Sequence, residues 1–367
     1  MIKLFEPNVT EEEVIAAVEV IKSKNWASGA GSGKVKEFED KFNSYIGSKE
    51  AVAVNSGTAA LHLALSLYDV KNKVVFVPSL SFVSTAHAVL YNGGIPVFVD
   101  VKQDTLCMDP EDLKEKVRTT SGNLAAVIPV HFGGMSSDID SILKICEVNS
   151  MHLLDDAAHI CGGKFHGKKI GTFGEMTCFS FHPVKNLSMP TGGAITLNMN
   201  SSENAKKKLS SLRWCGIDNR KGTFYDVTSV SPNYYMNEIS AAIGLAQLTK
   251  LDILNRKRVN IAKKYCSNLT TEKKMQFDED CVYHLYWIEV ETRDNFIKYM
   301  QSKGIEVGTH YRPIHTMSAY RQFDKGKLPV TNDVGEKIVT LPIHPNLNDD
   351  QVGLIIETTN SYDGGNG

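Results

Sequence analysis

Short apolar runs recur along the first half of the chain, separated by stretches in which apolar positions return every three or four residues. The runs are AVAV at 51–54, VVFV at 74–77, IPVFV at 95–99, AAVIPV at 125–130, HLLD at 152–155, MTCFSF at 176–181 and AITLN at 194–198. Runs of four to six residues with few polar interruptions are the pattern of strands covered on both faces. The stretches between them predict crossover helices near 58–68, 85–91 and 139–148. Seven strands alternating with helices predict an α/β fold with one large, mostly parallel sheet. In such sheets ligands bind beyond the carboxyl ends of the strands, so the residues that follow each run carry the candidate chemistry.

After residue 198 the pattern changes. MNEISAAIGLAQLTKLDILNRKRVNIAKKY at 236–265 has the periodicity of one long helix, read as a bridge between two parts. Beyond it, YHLYWIEVET, a helix near 293–302 and GIEVGTHYRP predict a smaller α+β unit. The expected division is a large domain over 1–240, with an N-terminal arm, and a small C-terminal domain over 241–367. No internal repeat is present, and the only low-complexity segment is the tail DGGNG.

Composition narrows the classes. The chain has 367 residues, 42% of them hydrophobic, enough for a large core. A formal net charge of -2 provides no basic field for nucleic acid or an anionic membrane surface. The N-terminus turns acidic and amphipathic too soon for a signal peptide, and no apolar run reaches bilayer length, so a cytoplasmic chain is expected. Seven cysteines, an odd count without a CxxC pair, predict buried reduced thiols rather than disulfides or zinc, and no metal site is expected.

The strand ends carry four features. Asn55-Ser56-Gly57-Thr58 opens a helix, where backbone N–H groups favour an anion such as phosphate, although Ser56 or Thr58 can equally be a plain N-cap. Phe82, after the second run, can cover a planar ligand or simply pack. Asp155 and Asp156 end the fifth run, where a carboxylate can hold a protonated ring nitrogen or cap a turn. Lys185 follows the sixth run in SFHPVKN, either as a solvated charge or as a Schiff-base amine. Together these are a phosphate cradle, a stacking ring, a carboxylate for a pyridinium and an amine for an aldehyde. Pyridoxal 5'-phosphate (PLP) requires those four, and here each follows a different strand in order.

With these motifs in place, the sequence resembles the DegT/DnrJ/EryC1/StrS family of PLP-dependent sugar aminotransferases, which have the fold type I architecture of the aspartate aminotransferase superfamily. NSGTAALHLAL, VPSLSFVSTAHAV, IPVHFGG, LLDDAAH, GTFGEMTCFSFHPVKN, NYYMNEISAAIGLAQL, YHLYW, HYRPIH and LPIHP carry the likeness over nearly the whole chain. The resemblance implies Lys185 as the Schiff-base lysine and Asp156 as the partner of the pyridinium nitrogen. It implies His159 near the cofactor's phenolic oxygen, Gly57, Thr58 and Ser180 at its phosphate, and Phe82 stacked on its ring. Asn233, in NYYM, matches an asparagine that reaches the phosphate across a homodimer interface. The implied reaction moves an amino group from L-glutamate to a keto sugar, most simply a nucleotide-linked 4-keto or 3-keto deoxysugar. Substrate contacts are expected from Trp26, Ser28, Arg213, His310 and Tyr311. The segment SMPTGG at 188–193 and Tyr235 depart from the family pattern on the substrate side. They motivate one alternative, a ketone without a nucleotide such as a cyclitol, a keto-sugar acid or a small phosphorylated ketone. The resemblance itself raises another, a catalytically silent PLP or sugar-nucleotide sensor, against which the intact Lys185 and Asp156 argue.

Overall fold

A computed structural model describes residues 1–324 and 326–363. The chain opens with helices α1 (Glu11–Ser23) and α2 (Lys34–Ile46). It then alternates β1 (Glu50–Val54), α3 (Gly57–Leu65), β2 (Val74–Pro78), α4 (Ser84–Tyr91), β3 (Ile95–Val99), α5 (Pro110–Thr119), β4 (Leu124–Val127), α6 (Ile139–Val148) and β5 (His152–Asp156). A two-residue hairpin, β6 (Lys164–Phe165) with β7 (Lys168–Lys169), precedes β8 (Met176–Ser180) and β9 (Gly193–Leu197). The seven long strands form one sheet in the order β1-β9-β8-β5-β4-β2-β3. They coincide with the seven apolar runs. Pairing is parallel from β3 through β2, β4 and β5 to β8, while β9 runs antiparallel between β8 and β1.

The strands are almost wholly buried because helices cover both faces. On one face Phe38 and Phe42 of α2 meet Phe179 and Phe181 edge-on, with ring centroids 5.2 to 5.4 Å apart. On the other, the small and aliphatic side chains of α3 pack against β8, β9 and α7 (Ser202–Leu212). α3 begins at Gly57 because Ser56, in extended conformation, accepts a hydrogen bond from the N–H of Ala59. Gly57 is required there by closeness rather than by backbone angle, since a Cβ would lie 2.7 Å from the Cβ of Ser180. The helix start is thereby pressed against the end of β8.

An exposed hairpin, β10 (Ile217–Lys221) and β11 (Phe224–Val227), leads to α8 (Glu238–Asn268), whose first turn is capped by the Asn237 side chain on the N–H of Ser240. Ala241 and Leu251 of α8 belong to the core under the large sheet, and Ile261, Ala262 and Tyr265 to a second core. That second core surrounds β12 (Tyr286–Glu289) and β13 (Ile338–Leu341), an antiparallel pair flanked by α9 (Arg293–Ser302), α10 (Pro329–Lys337) and α11 (Asp349–Asn360). The chain's first residues join it: Ile2 donates to the carbonyl of Gly304 at 2.7 Å and bridges Ile305. All seven cysteines are free, and five of them are buried. Among the described residues no helix is long and apolar enough to cross a membrane, and no cluster of three or more His, Cys, Asp or Glu could hold a metal. Residues 364–367, most of the low-complexity tail, lie outside the described residues.

Candidate active site

The carboxyl ends of β1, β2, β5 and β8 converge on one cavity of about 400 Å³, and it collects Gly57, Thr58, Phe82, Asp156, His159, Ser180, Lys185, His310 and Tyr311. Asp156 closes β5 and is nearly inaccessible. Its Oδ2 accepts from the hydroxyl of Thr85 at 2.8 Å and its Oδ1 from the N–H of Ala158 at 3.2 Å. Burial raises its pKa, against the pull of those two donors and of the Lys185 charge. Lys185 follows β8 on a turn closed by its own N–H to the carbonyl of His182. Its amine lies 3.2 Å from Nε2 of His284. Burial outweighs the attraction of Asp156 and lowers that amine to about 7, so at neutral pH it exists in both protonation states.

His159 is buried, which holds it neutral. Its Nδ1 accepts from the N–H of Gly133 at 3.3 Å, which assigns the ring proton to Nε2. Nε2 therefore donates to the hydroxyl oxygen of Tyr311 at 3.1 Å, leaving the Tyr311 proton free to be donated onward. His310 bonds Thr340 through Nδ1 at 2.7 Å, and burial together with Lys185 pulls it down to about 4. Phe82 is 54% exposed, an unusual state for a phenylalanine in a cavity wall, and its ring centroid is 6.0 Å from that of Tyr311. Thr58 and Ser84 share a hydroxyl hydrogen bond of 2.6 Å across the starts of α3 and α4.

The remaining sequence-predicted residues lie elsewhere. Asn233 lines an adjoining recess with Ala27, Tyr235 and Asn237, and this recess shares Asn55, Ser56 and Thr191 with the main cavity. Trp26 is exposed and donates to the carbonyl of Ile21, and Ser28 accepts from the hydroxyl of Ser32. Neither lines the main cavity. The expected substrate role of Arg213 is corrected by its surroundings. It is 2% exposed, ion-paired with Glu39 and bonded to the carbonyl of Ala53, so it ties α7 to α2 and β1. His315, with Ser79 at 2.6 Å and Asn332 at 2.9 Å, is a satisfied interior histidine. Sequence reasoning gave no role to Thr85, His284 or Phe5. Their only signals were VSTAHAV, YHLYW and an N-terminal phenylalanine, none of which shows its distant partner.

A family model described as the DegT/DnrJ/EryC1/StrS aminotransferase family matches residues 7–360. The chain belongs to this family. It is 32% identical to the spore coat polysaccharide biosynthesis protein SpsC of Bacillus subtilis, over 96% of this chain and 94% of that one. It is 30% identical to the GDP-perosamine synthase of Vibrio cholerae, over 99% of each chain. The pyridoxamine phosphate form of the putative sugar aminotransferase Spr1654 from Streptococcus pneumoniae superimposes with a TM-score of 0.92 at 27% identity, covering 98% of both chains, and a PLP form of the same protein gives 0.91. The chain is thus a PLP-dependent aminotransferase of a sugar aminotransferase family with a fold type I architecture. Its own residues fit that cofactor: a helix start pressed on β8, an accessible ring, a buried carboxylate and a half-buried amine face one space.

Proposed function

We propose that this enzyme transfers the amino group of L-glutamate to a keto sugar carried on a nucleotide, a 4-keto or 3-keto deoxysugar. The observation that carries the transfer is that a half-buried amine, Lys185, and a buried carboxylate, Asp156, face one cavity. Lys185 would hold the cofactor, with Asp156 at its ring nitrogen, Phe82 over its ring and Gly57, Thr58 and Ser180 at its phosphate. Bound PLP supplies an aldehyde that takes up nitrogen and a ring that accepts electrons from the carbon losing its proton. The Lys185 amine, which burial lowers to about 7 in the chain alone, would take that proton and give it back. Burial raises the pKa of Asp156, and a protonated ring nitrogen beside it would favour the ionised carboxylate. The Tyr311 hydroxyl, with its oxygen already occupied by His159, offers its proton to an oxygen in the cavity.

The nucleotide is supported by the polar recess at Asn233, Tyr235 and Asn237, which gives a sugar in the cavity a path for a hydrophilic extension. A relative's name, GDP-perosamine synthase, points the same way. A homodimer is supported by the apolar residues that α1 leaves exposed, Val14 at 47%, Ile15 at 51% and Ile21 at 49%, beside an apolar groove formed with Pro183, Met189 and Ile243. We place the enzyme in the cytoplasm, where nucleotide-linked sugars are made.

The test loads the protein with PLP, converts it with L-glutamate and follows the return of the aldehyde spectrum on adding keto sugars. Nucleotide-linked 3-keto or 4-keto sugars should restore it, and unlinked sugars should not. Equal rates with unlinked ketones would move the reading to a ketone without a nucleotide. A protein that binds PLP yet fails to react with any amino donor would be a sensor instead.

A further inference from the structure

We propose that His284 is the resting partner of Lys185, holding the lysine amine by a hydrogen bond whenever the amine is not covalently engaged and so governing when it takes or gives a proton. The inference rests on Lys185 carrying the cofactor, and it adds a positioning residue to that site.

The contact is built from both sides. Nε2 of His284 lies 3.2 Å from the amine. The residue after the lysine, Asn186, donates through its side chain to the carbonyl of Val282 at 2.9 Å and to Asn255 at 2.8 Å, which ties the lysine turn to the segment that carries His284. Ser188 closes the turn by donating to the carbonyl of Lys185 at 2.8 Å. On the other side, Val282 donates to the carbonyl of Gly134 and Leu285 to that of Gly133, at 3.3 and 3.1 Å. Gly134, with φ of 98°, admits this approach because a Cβ there would lie 2.8 Å from the N of Tyr283. The imidazole is held between the ring of Phe5, stacked at 5.6 Å, and that of His159 at 4.6 Å. A side chain so enclosed cannot swing away, and the lysine is the long flexible member of the pair.

The charges decide what the contact does. His284 is faced by Lys185, His159, His310 and Arg258, and Lys185 also by Asp156 and His182. Burial holds the three neighbouring histidines His159, His284 and His310 below their ordinary range, so none competes for the proton. With its ring proton on Nδ1, His284 offers the Nε2 lone pair to the ammonium form and favours it, against the burial that lowers the amine to about 7. Without the acceptor the amine would lose its proton at lower pH.

The experiment titrates Lys185 by competitive acetylation and peptide mass spectrometry, on the full chain in its pyridoxamine phosphate form and again stripped of cofactor. In wild type the labelling midpoint is expected near 7. His284→Gln, which keeps an acceptor at the same reach, should leave it in place. His284→Leu should lower it by about one pH unit, a roughly tenfold change in labelling below the midpoint. The acid limb of the glutamate half-reaction should move with it. An unchanged midpoint in a folded His284→Leu protein overturns the proposal. If that variant does not fold, 15N-histidine spectra of the wild type replace it. The His284 signal should titrate with the Lys185 midpoint and lose that step in Lys185→Met, and a signal that ignores Lys185 overturns the proposal. Failure of PLP uptake would refute the functional reading instead, because the stripped protein still reports the His284 contact.

Discussion

Asp155 and Asp156 are neighbours on β5 with opposite surroundings. Successive strand residues face opposite sides of the sheet, so only Asp156 reaches the cavity. Asp155 is wholly buried and, among the described residues, neither of its carboxyl oxygens has a hydrogen-bond partner, with Nε2 of His131 3.8 Å away. Burial, followed by the Asp156 charge, pushes Asp155 up to about 8, whereas burial pulls His131 down to about 3. The folded protein therefore keeps a proton on Asp155 that the unfolded chain releases near pH 4. This costs stability progressively as pH rises from about 4 to about 8. Asp155→Asn should fold, keep most of its turnover and flatten that slope in chemical denaturation at several pH values. Asp156→Asn should still bind PLP but lose turnover by roughly 10²-fold or more, because an amide does not hold the ring nitrogen charged. Reversed severities in the glutamate half-reaction would exchange the two roles. Both carboxylates were legible in LLDDAAH, as was the alternation that separates them. The hydroxyl of Thr85, 71 residues away on Asp156, was not.

Elements carry the site through a few pinned junctions. The Arg213 guanidinium bonds Glu39 and the carbonyl of Ala53, while Glu39 accepts from the N–H of Ala53 at 2.8 Å, so one buried pair joins α7, α2 and β1. Arg213→Met should destabilise the protein by about 3 to 5 kcal/mol, because it leaves the buried Glu39 charge without its counter-ion, held only by the N–H of Ala53. A double change to Arg213→Met with Glu39→Leu should recover much of that loss, and denaturant midpoints measure both. At the next junction, Gly57→Ala would drive a methyl into Ser180 and part α3 from β8. PLP affinity should fall at least about tenfold as measured by cofactor titration, with far-ultraviolet circular dichroism unchanged. The seven strands and the long helix α8 were legible because their apolar runs are local. The antiparallel insertion of β9 between β1 and β8 and the pairing of Ile2 with residues 304–305 were not, since strand order and chain-end docking depend on partners far away in sequence. Arg213 was misread for the same reason: an arginine in a motif gives no sign that Glu39 is its partner.

At the scale of the whole molecule, the proposed homodimer would complete each site with a residue of the second chain. Asn233 lies in the recess beside the cavity rather than in its wall, and the exposed apolar face of α1 lies next to the groove at Pro183 and Met189. If two chains meet on that face, a twofold axis uses the surface twice and brings each Asn233 toward its partner's phosphate cradle. Lys185→Ala and Asn233→Ala would then be inactive for different reasons located in different chains. A mixed dimer would contain one site with both defects and one with neither. Mixing the two variants through mild denaturation should therefore restore glutamate-dependent turnover, up to about a quarter of the wild-type rate for random pairing, since half of the dimers are mixed and each has one intact site. The competing explanation is that Asn233 acts only within its own chain, where its backbone bridges Trp214, and then both defects stay in separate sites with no recovery. Heterodimers confirmed by mass spectrometry, together with a folded but inactive Asn233→Ala parent, make the absence of recovery decisive against a shared site.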